Sequence, residues 1–207
     1  PDLEDLVPLT GLQEGLAFER QVLAEGIVDP YHVQLVAHIK GPLDVPALHR
    51  AWDALLLRHD ILRLVVAPPS VAAGHGVIRG SLPSGFSLKT PADIEDCAAA
   101  VALLQMEDRE AGFDLSSGPL IRATVMALGA VHHVLLVSNH HLVLDGWSLP
   151  VLFEELAELY GAARAGSVAD LDPVYSWQSH LGWLGSQDRA STEAYWERYL
   201  APVEEPS

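Results

Sequence analysis

Two adjacent histidines near residue 140 are the strongest candidates for acid–base chemistry in this sequence. His140 and His141 follow a hydrophobic run at residues 134–137, and the chain then reaches the pair Asp145-Gly146. Histidine is the side chain best suited to accept or share a proton near neutral pH. If the run is a β-strand, the two histidines point to opposite faces, because neighbouring strand residues alternate. We therefore expect one histidine to do chemistry and the other to support the structure.

The residues that follow the histidines are typical of a turn that leads into a helix. Asp145 is able to fix the local backbone through hydrogen bonds or an ion pair. Gly146 would let backbone or substrate approach closely and its amide is a candidate oxyanion donor, although a simple turn glycine is the plainer explanation. Ser148 is expected to cap the next helix. A second pair, His132-His133, has no following Asp-Gly and is expected at a surface or an edge.

Composition and charge exclude several functional classes. The 207 residues are 49% hydrophobic, which is enough for one sizeable core. Twelve basic and 28 acidic residues leave a net charge of −16 with no basic stripe, which argues against nucleic acid and anionic membranes as partners. The single cysteine, Cys97, fits a reducing compartment, and no apolar segment approaches the ~20 residues of a membrane span. These features predict a cytoplasmic protein.

The sequence lacks the motifs of several other kinds of site. His141 and Asp145 offer too few ligands for a metal ion, and neither HExxH nor CxxC is present to complete a set. The serine-nucleophile pattern GxSxG and the phosphate loop GxxxxGK[ST] are also missing, which argues against hydrolase and nucleotide-binding functions.

Hydrophobic periodicity predicts alternating helices and strands around the histidines. A helix is expected from Pro46, with Leu48, Ala51, Trp52 and Leu55 on its buried face. Thr90-Pro91 is expected to start another helix. The remaining predicted elements are helices at 10–23 and 148–166 and after residues 175 and 191, strands at 33–40 and 62–67, a loop at 68–76, and a hairpin of strands 120–128 and 131–139. Together they predict an α/β lobe in which helices pack on a mixed sheet.

Several motifs, in this order, resemble those of the condensation domains of nonribosomal peptide synthetases and their chloramphenicol-acetyltransferase-like relatives. HHxxxDG, with Trp147-Ser148 after it, is similar to the active-site motif of that family. Residues 58–63 resemble its RHExLR motif, with Asp60 in place of the commoner glutamate. The other matching segments are residues 8–18, where Gly11 replaces a more usual proline, 113–122 (FDL and GPLxR), and Tyr195-Trp196 with Leu200. The resemblance spans essentially the whole sequence.

The resemblance implies a chloramphenicol-acetyltransferase-like fold and a division of labour with other domains. Residues 1–207 would be the N-terminal subdomain of a condensation domain, whose C-terminal lobe is absent from this chain. The expected partners are that lobe, the upstream and downstream peptidyl carrier domains, and an adjacent adenylation domain. The substrates would be carried on the phosphopantetheine of the carriers, so no cofactor is expected to bind this chain directly. The isolated lobe is expected to be inactive.

The resemblance also assigns roles within the candidate catalytic set of His140, His141, Asp145 and Gly146. His141 would be the key residue in amide bond formation, either as a general base or by orienting the amine. His140 would be a hydrogen-bonded structural residue. Asp145 would pair with an arginine, for which Arg63 and Arg122 are both candidates, and Ser148 would provide further structural support.

Three alternatives remain open at the level of sequence. The first alternative to the condensation domain is an epimerisation domain lobe, and the second is a stand-alone acyltransferase of the same superfamily. The third is a noncatalytic lobe that docks a carrier or a tailoring enzyme, although the intact histidines and aspartate count against this alternative. The intact HHxxxDG argues against the cyclising subclass, which has aspartates at the histidine positions.

Overall fold

A computed structural model describes residues 3–24, 27–91 and 96–203 of the chain. Residues 1–174 form one unit and residues 175–207 a second. The first unit contains strands β1 (Leu3–Pro8), β2 (His32–Lys40), β3 (Leu64–Val66), β4 (His75–Arg79), β5 (Phe86–Lys89), β6 (Ile121–Gly129) and β7 (His132–His140), with helices α1 (Gly11–Val22), α2 (Val45–Arg58), α3 (Pro69–Ala72), α4 (Cys97–Ala111) and α5 (Ser148–Ala165). The predicted α/β class is confirmed.

The larger sheet of the first unit has four strands in the order β2-β7-β6-β5. Strand β7 is antiparallel to both of its neighbours, whereas β5 and β6 are parallel, so the sheet is mixed as predicted. Residues 133–140 of β7 are all buried, in keeping with an interior strand that is apolar over most of its length. The predicted hairpin of β6 and β7 is confirmed, but its turn is at residues 130–131, one residue later than expected.

A second, three-stranded sheet has the order β1-β4-β3. Its strand β3 corresponds to the strand predicted at 62–67, but the sheet itself was not predicted from the sequence. All its neighbouring strands are antiparallel, and the longest has six residues. The predicted loop at 68–76 instead contains the short helix α3 and the beginning of β4. The other two strands, β1 and β4, are short and contain too few apolar alternations to be distinguished from loops by their hydrophobic pattern.

Three helices of the first unit, α1, α2 and α4, begin at a residue whose side chain caps the helix. Thr10 and Gln13 form a reciprocal capping box at the start of α1. The predicted apolar face of α2 is confirmed, since its four residues are at most 5% exposed, and α2 packs against α5. The helix expected from Thr90-Pro91 instead begins at Cys97, after Asp96 accepts a hydrogen bond from Ala99 N–H, and residues 92–95 lie outside the described part of the chain.

The face of α4 that includes Leu104 covers the larger sheet. Leu104 packs with β6 and β7 residues in a buried cluster, against which Cys97 and Val101 also lie. Cys97 thus contacts the core, whereas its neighbour Ala98 is exposed. The cluster fixes α4 over the sheet, and this matters for the site because α4 also carries Asp108.

The second unit contains the two predicted helices, α6 (Trp177–Gly185) and α7 (Arg189–Leu200). Ser176 caps α6 through the N–H of Ser179, and Asp188 caps α7 through the N–H of Ser191. Within the described ranges of the chain, none of the helices combines the length and the hydrophobicity that a membrane span requires.

Candidate active site

Residues 141–147, the site loop, connect the end of β7 to the start of α5. His140, the last residue of β7, pairs in register with His32 of β2, and its backbone N–H donates to the carbonyl of Leu120 at 2.9 Å. The loop therefore starts from the best-buried strand of the larger sheet. This origin gives the first loop residues a rigid base.

His140 is completely buried and its imidazole orientation is fixed by the loop backbone. Its Nδ1 accepts a hydrogen bond from Leu142 N–H at 3.0 Å, so the proton of the neutral ring lies on Nε2. Nε2 is 3.3 Å from Asp29 Oδ2, an electrostatic contact that is not aligned as a hydrogen bond. Burial lowers the pKa of His140, and the charge of Asp29 opposes this only in part. The geometry is that of a neutral histidine whose ring holds the loop backbone.

His141 has the opposite environment, because its side chain is exposed. Its Nδ1 is 3.1 Å from the carbonyl oxygen of Leu144, which can only accept a hydrogen bond, so Nδ1 carries the proton. Nε2 of the neutral ring consequently keeps a free lone pair. The backbone N–H of His141 donates to the carbonyl of Tyr31 at 3.0 Å. The two histidines thus face opposite ways, and only His141 presents a proton acceptor to an incoming molecule.

Two buried amides hold the site loop, and neither was predicted from the sequence. Gln13, only 4% exposed, donates through Nε2 to the carbonyl of Leu142 at 2.9 Å. Asn139 donates through Nδ2 to the carbonyl of Leu144 at 3.3 Å. Gln13 lies in residues 8–18, the first segment that resembles a motif of the condensation domains. This resemblance was the only sequence signal that pointed to Gln13. The segment acts by joining α1 to the loop.

Asp145 caps the helix that follows the loop. Its exposed carboxylate accepts hydrogen bonds through Oδ1 from the N–H of Ser148 at 2.8 Å and from Ser148 Oγ at 2.7 Å. These bonds from Ser148 lower the pKa of Asp145, with a smaller contribution from the charge of the nearby His141. Ser148 is the first residue of α5 and makes no side-chain cap of its own, so the predicted capping role belongs to Asp145.

The predicted ion pair between Asp145 and an arginine is wrong for both candidates. The Arg63 side chain, 7% exposed, bonds to Glu4 and to the carbonyls of Leu56 and Arg79, on the side of the three-stranded sheet. Arg122 instead binds Asp108 on α4 through two hydrogen bonds of 2.8 and 3.1 Å. Each guanidinium is held by groups on its own side of the fold, and Asp145 is satisfied locally by Ser148.

Asp108 is the centre of a buried polar cluster that we call the Asp108 cluster. The carboxylate, 9% exposed, accepts hydrogen bonds from His32 Nε2 at 2.9 Å, Gln34 Nε2 at 2.7 Å and Ser138 Oγ at 2.6 Å, besides the Arg122 pair. Burial alone would raise the pKa of Asp108, but these donors and the charge of Arg122 lower it far below its ordinary value. The cluster joins α4 to the three neighbouring strands β2, β7 and β6.

The segment Arg58-His59 holds α5 in place. Glu155 of α5 accepts two hydrogen bonds from Arg58, at 2.8 and 3.2 Å, and lies 2.7 Å from His59 Nε2. Burial would raise the pKa of Glu155, yet these two neighbours lower it overall. The arginine-histidine motif therefore supports the far end of the site loop through the helix that the loop enters.

The surface beside the site loop is apolar and open. A pocket of about 300 Å³ lies between α5 and residues 59–62, with Val143 and Leu144 of the loop in its wall, and Trp147 beside it is 91% exposed. A Cβ added to Gly146 would meet nothing within 4 Å, and its φ is not in the left-handed region. Among the described residues there is no group of three or more side chains able to hold a metal ion.

Comparison with known protein families gives a match to the condensation domain over residues 3–206. The chain is 34% identical over 208 residues to one component of the linear gramicidin synthase of Brevibacillus parabrevis, covering 100% of this chain and 3% of that protein. It is 29% identical over 211 residues to bacitracin synthase 3 of Bacillus licheniformis, covering 100% of this chain and 3% of that protein. The chain thus spans a small part of these relatives.

The solved structures of similar fold are about twice as long as this chain. The starter condensation domain of rhizomide synthetase matches with a TM-score of 0.80 at 19% identity, over 98% of this chain and 50% of that chain. The complex of the X-domain and OxyB from teicoplanin biosynthesis matches with a TM-score of 0.77 at 28% identity, over 100% of this chain and 45% of that chain. These matches confirm the predicted chloramphenicol-acetyltransferase-like fold.

Proposed function

Because this chain belongs to the condensation-domain family of nonribosomal peptide synthetases, we propose that it supplies the histidine-bearing lobe for amide bond formation between two carrier-bound substrates. The donor is an aminoacyl or peptidyl thioester and the acceptor is an amine. His141 is the catalytic residue. The observation that carries the proposal is the state of its ring: Nδ1–H is engaged by Leu144, and Nε2 is left as an exposed acceptor.

The proposed chemistry begins with attack of the acceptor amine on the thioester carbon. The new C–N bond forms, the C–S bond breaks, and the amine proton passes through His141 Nε2 to the departing thiolate, which leaves as a thiol. A neutral imidazole suits this step because it accepts a proton near neutral pH. The bonds from Ser148 and, to a smaller extent, the charge of the nearby His141 lower the pKa of Asp145, so a carboxylate lies close to the ring during this step.

Gly146 is proposed to face the reacting groups from the loop. The open space around its Cα leaves room for a substrate or for another domain, and nothing in the described part of this lobe requires a glycine there. Its amide is a candidate donor to the oxyanion that forms on the thioester carbon. Such donors are effective when they are held rigidly, and the buried bonds at Leu142 and Leu144 supply that rigidity.

The site needs partners to complete it. The chain spans about half the length of the solved condensation domains, and we propose that a C-terminal lobe closes the open side of the site loop. The substrates arrive on phosphopantetheine arms of two carrier domains, next to an adenylation domain, in the cytoplasm. A variant of the rhizomide synthetase domain has been solved with C8-CoA, and CoA ends in the same pantetheine thiol.

A second candidate is a noncatalytic docking lobe for a tailoring enzyme. The match to the X-domain, solved in complex with OxyB, favours this alternative. The free Nε2 of His141 and the well-supported loop around it favour catalysis, since a docking surface has no need of a fixed histidine tautomer. An epimerising lobe would use the same site on one carrier-bound residue, without joining two substrates.

The candidates differ in what they do to two loaded carriers. The intact protein, meaning this lobe together with the proposed C-terminal lobe, would be mixed with a donor carrier and an acceptor carrier that bear different aminoacyl groups. Each carrier would then be analysed by mass spectrometry and chiral chromatography. We expect the donor mass to move to the acceptor carrier. Inversion of one residue without transfer would support the epimerising lobe, and carrier or oxygenase binding without any chemical change would support the docking lobe.

A further inference from the structure

Asp29 has a buried carboxylate and lies just before β2. It contacts the ring of His140 directly and is connected to the backbone of His141 through Tyr31. Its side chain is 8% exposed. Oδ1 accepts a hydrogen bond from the N–H of Tyr31 at 2.9 Å, and Oδ2 is 3.3 Å from His140 Nε2. A buried carboxylate is costly unless its charge is compensated, so its presence next to the site loop requires a role.

We propose that Asp29 is a positioning residue for His141, acting on the backbone through Tyr31 and on the ring of His140. This inference rests on the proposed function of His141 and deepens it. Asp29 touches neither substrate nor reacting atoms in this arrangement. It acts by fixing the place from which His141 presents Nε2.

The first connection runs through the backbone. The bond from Tyr31 N–H to Asp29 Oδ1 closes a turn over two residues, in which the aspartate side chain imitates a backbone acceptor. The carbonyl of Tyr31 then accepts the N–H of His141 at 3.0 Å. Tyr31 is thus held on one side by Asp29 and holds His141 on the other, so a shift of Asp29 is transmitted to the first residue of the site loop.

The second connection runs through the tautomer of His140. Nδ1 of His140 must be unprotonated to accept the N–H of Leu142, which places the ring proton on Nε2, opposite the negative Oδ2 of Asp29. The carboxylate therefore favours the one tautomer that also holds the site loop. An amide has only one acceptor oxygen. If that oxygen stays on Tyr31 N–H, the NH2 group meets Nε2–H and either that contact or the Leu142 bond is lost; if the amide is reversed, the Tyr31 bond is lost instead.

Arg20 completes the surroundings of Asp29. Its Nε lies 3.4 Å from Asp29 Oδ2, and its side chain is 42% exposed, so the arginine offsets part of the buried charge while remaining in water. His140, which is fully buried, has its pKa lowered by burial and raised by Asp29, and it stays neutral overall. The contact between Asp29 and His140 therefore joins a carboxylate to the Nε2–H group of a neutral ring, and it is not an ion pair.

The test compares Asp29→Asn with Asp53→Asn. The control removes an equivalent carboxylate that lies 3.6 Å from a histidine, His49, but in a surface pair in which both side chains are almost half exposed. Two readouts are measured in the intact protein: kcat and KM for transfer between loaded carriers, and the His140 tautomer from long-range proton–nitrogen NMR correlations. Thermal melting confirms that each variant is folded.

We expect Asp29→Asn to lower kcat at least about tenfold with KM changed less than about threefold, since a small displacement of a catalytic group is enough for such a loss. The His140 spectrum should move away from the Nε2–H form. The control should change neither readout. An unchanged kcat in folded Asp29→Asn would overturn the inference, and an unchanged tautomer would overturn its second connection, the one through His140.

If Asp29→Asn does not fold, Asp29→Ser keeps an acceptor for Tyr31 N–H and removes the Oδ2 contacts with His140 and the half-exposed Arg20. A fall in kcat would support the proposal, and wild-type kcat would contradict it. The His140 tautomer is measured without any substrate, so this inference can fail independently of the proposed function. The proposed function itself fails if His141 variants retain full transfer, whatever the effect of changes at Asp29.

Discussion

Replacing Asp108 with asparagine should destabilise the fold strongly at neutral pH. The change is nearly isosteric, but it removes the charge that binds Arg122 and one of the two acceptor oxygens of the Asp108 cluster. Breaking a buried ion pair costs about 3–5 kcal/mol. Since the Arg122 side chain is 23% exposed and recovers some hydration, we expect a loss near the lower limit, about 3 kcal/mol.

The same change should alter how stability depends on pH. The folded-state pKa of Asp108 lies well below its unfolded value of about 3.9, so its stabilising effect is fully present above that value and is lost as pH falls toward the folded pKa. The difference in unfolding free energy between the wild type and Asp108→Asn should therefore shrink below about pH 4, by up to ~1.4 kcal/mol per pH unit.

Urea denaturation at pH 7 and at several values between pH 5 and 3 measures both effects. Glu107→Gln is the matched control, because Glu107 is the preceding residue on α4 and its pair with Lys89 is almost half exposed on both sides. The control should lose less than about 1 kcal/mol. Equal stability of Asp108→Asn and wild type at pH 7, or a difference that grows on acidification, would refute the role assigned to this cluster.

Three further changes test the site loop. His140→Ala should lower the unfolding free energy by about 3 kcal/mol in urea denaturation, because it leaves a cavity and frees Leu142 N–H; a loss below about 0.5 kcal/mol would show that the ring has no structural role. Asp145→Asn should leave the melting temperature nearly unchanged, since asparagine caps helices as well as aspartate does, whereas Asp145→Ala should cost about 1 kcal/mol; equal effects of the two would argue against the cap at Ser148. Gly146→Ala should leave stability within about 0.5 kcal/mol of wild type yet lower the transfer rate in the intact protein, because the added methyl group fills space reserved for substrate; an unchanged rate would remove Gly146 from the site.

Long periodic elements could be predicted from the sequence because the spacing of their own apolar residues shows which face is buried. The apolar face of α2 and the interior position of β7 follow directly from spacing and composition. The opposite orientation of His140 and His141 also follows from strand alternation. Residue spacing alone did not identify His140-His141 as the pair of interest. The resemblance to the condensation-domain motif distinguished this pair from His132-His133.

Long-range polar pairings could not be predicted in this way. The sequence offers several arginines and many acids, and only the folded chain decides that Arg122 meets Asp108 instead of Asp145. The second histidine pair shows the same limit, because His133, expected at a surface or an edge, is 7% exposed while His132 lies against His38. Gln13 could not be recognised by its type, since its role depends on a carbonyl 129 residues away.

The central claim, that His141 performs the chemistry, is tested most directly by single-turnover transfer between loaded carriers. The intact protein would be compared with His141→Ala and with His132→Ala, which removes a histidine from the other pair on the same strand. We expect His141→Ala to lower the transfer rate at least about a hundredfold while its melting temperature stays near that of wild type, because His141 is exposed and contributes little to the core. His132→Ala should transfer at the wild-type rate. Near-wild-type transfer by folded His141→Ala would contradict the claim.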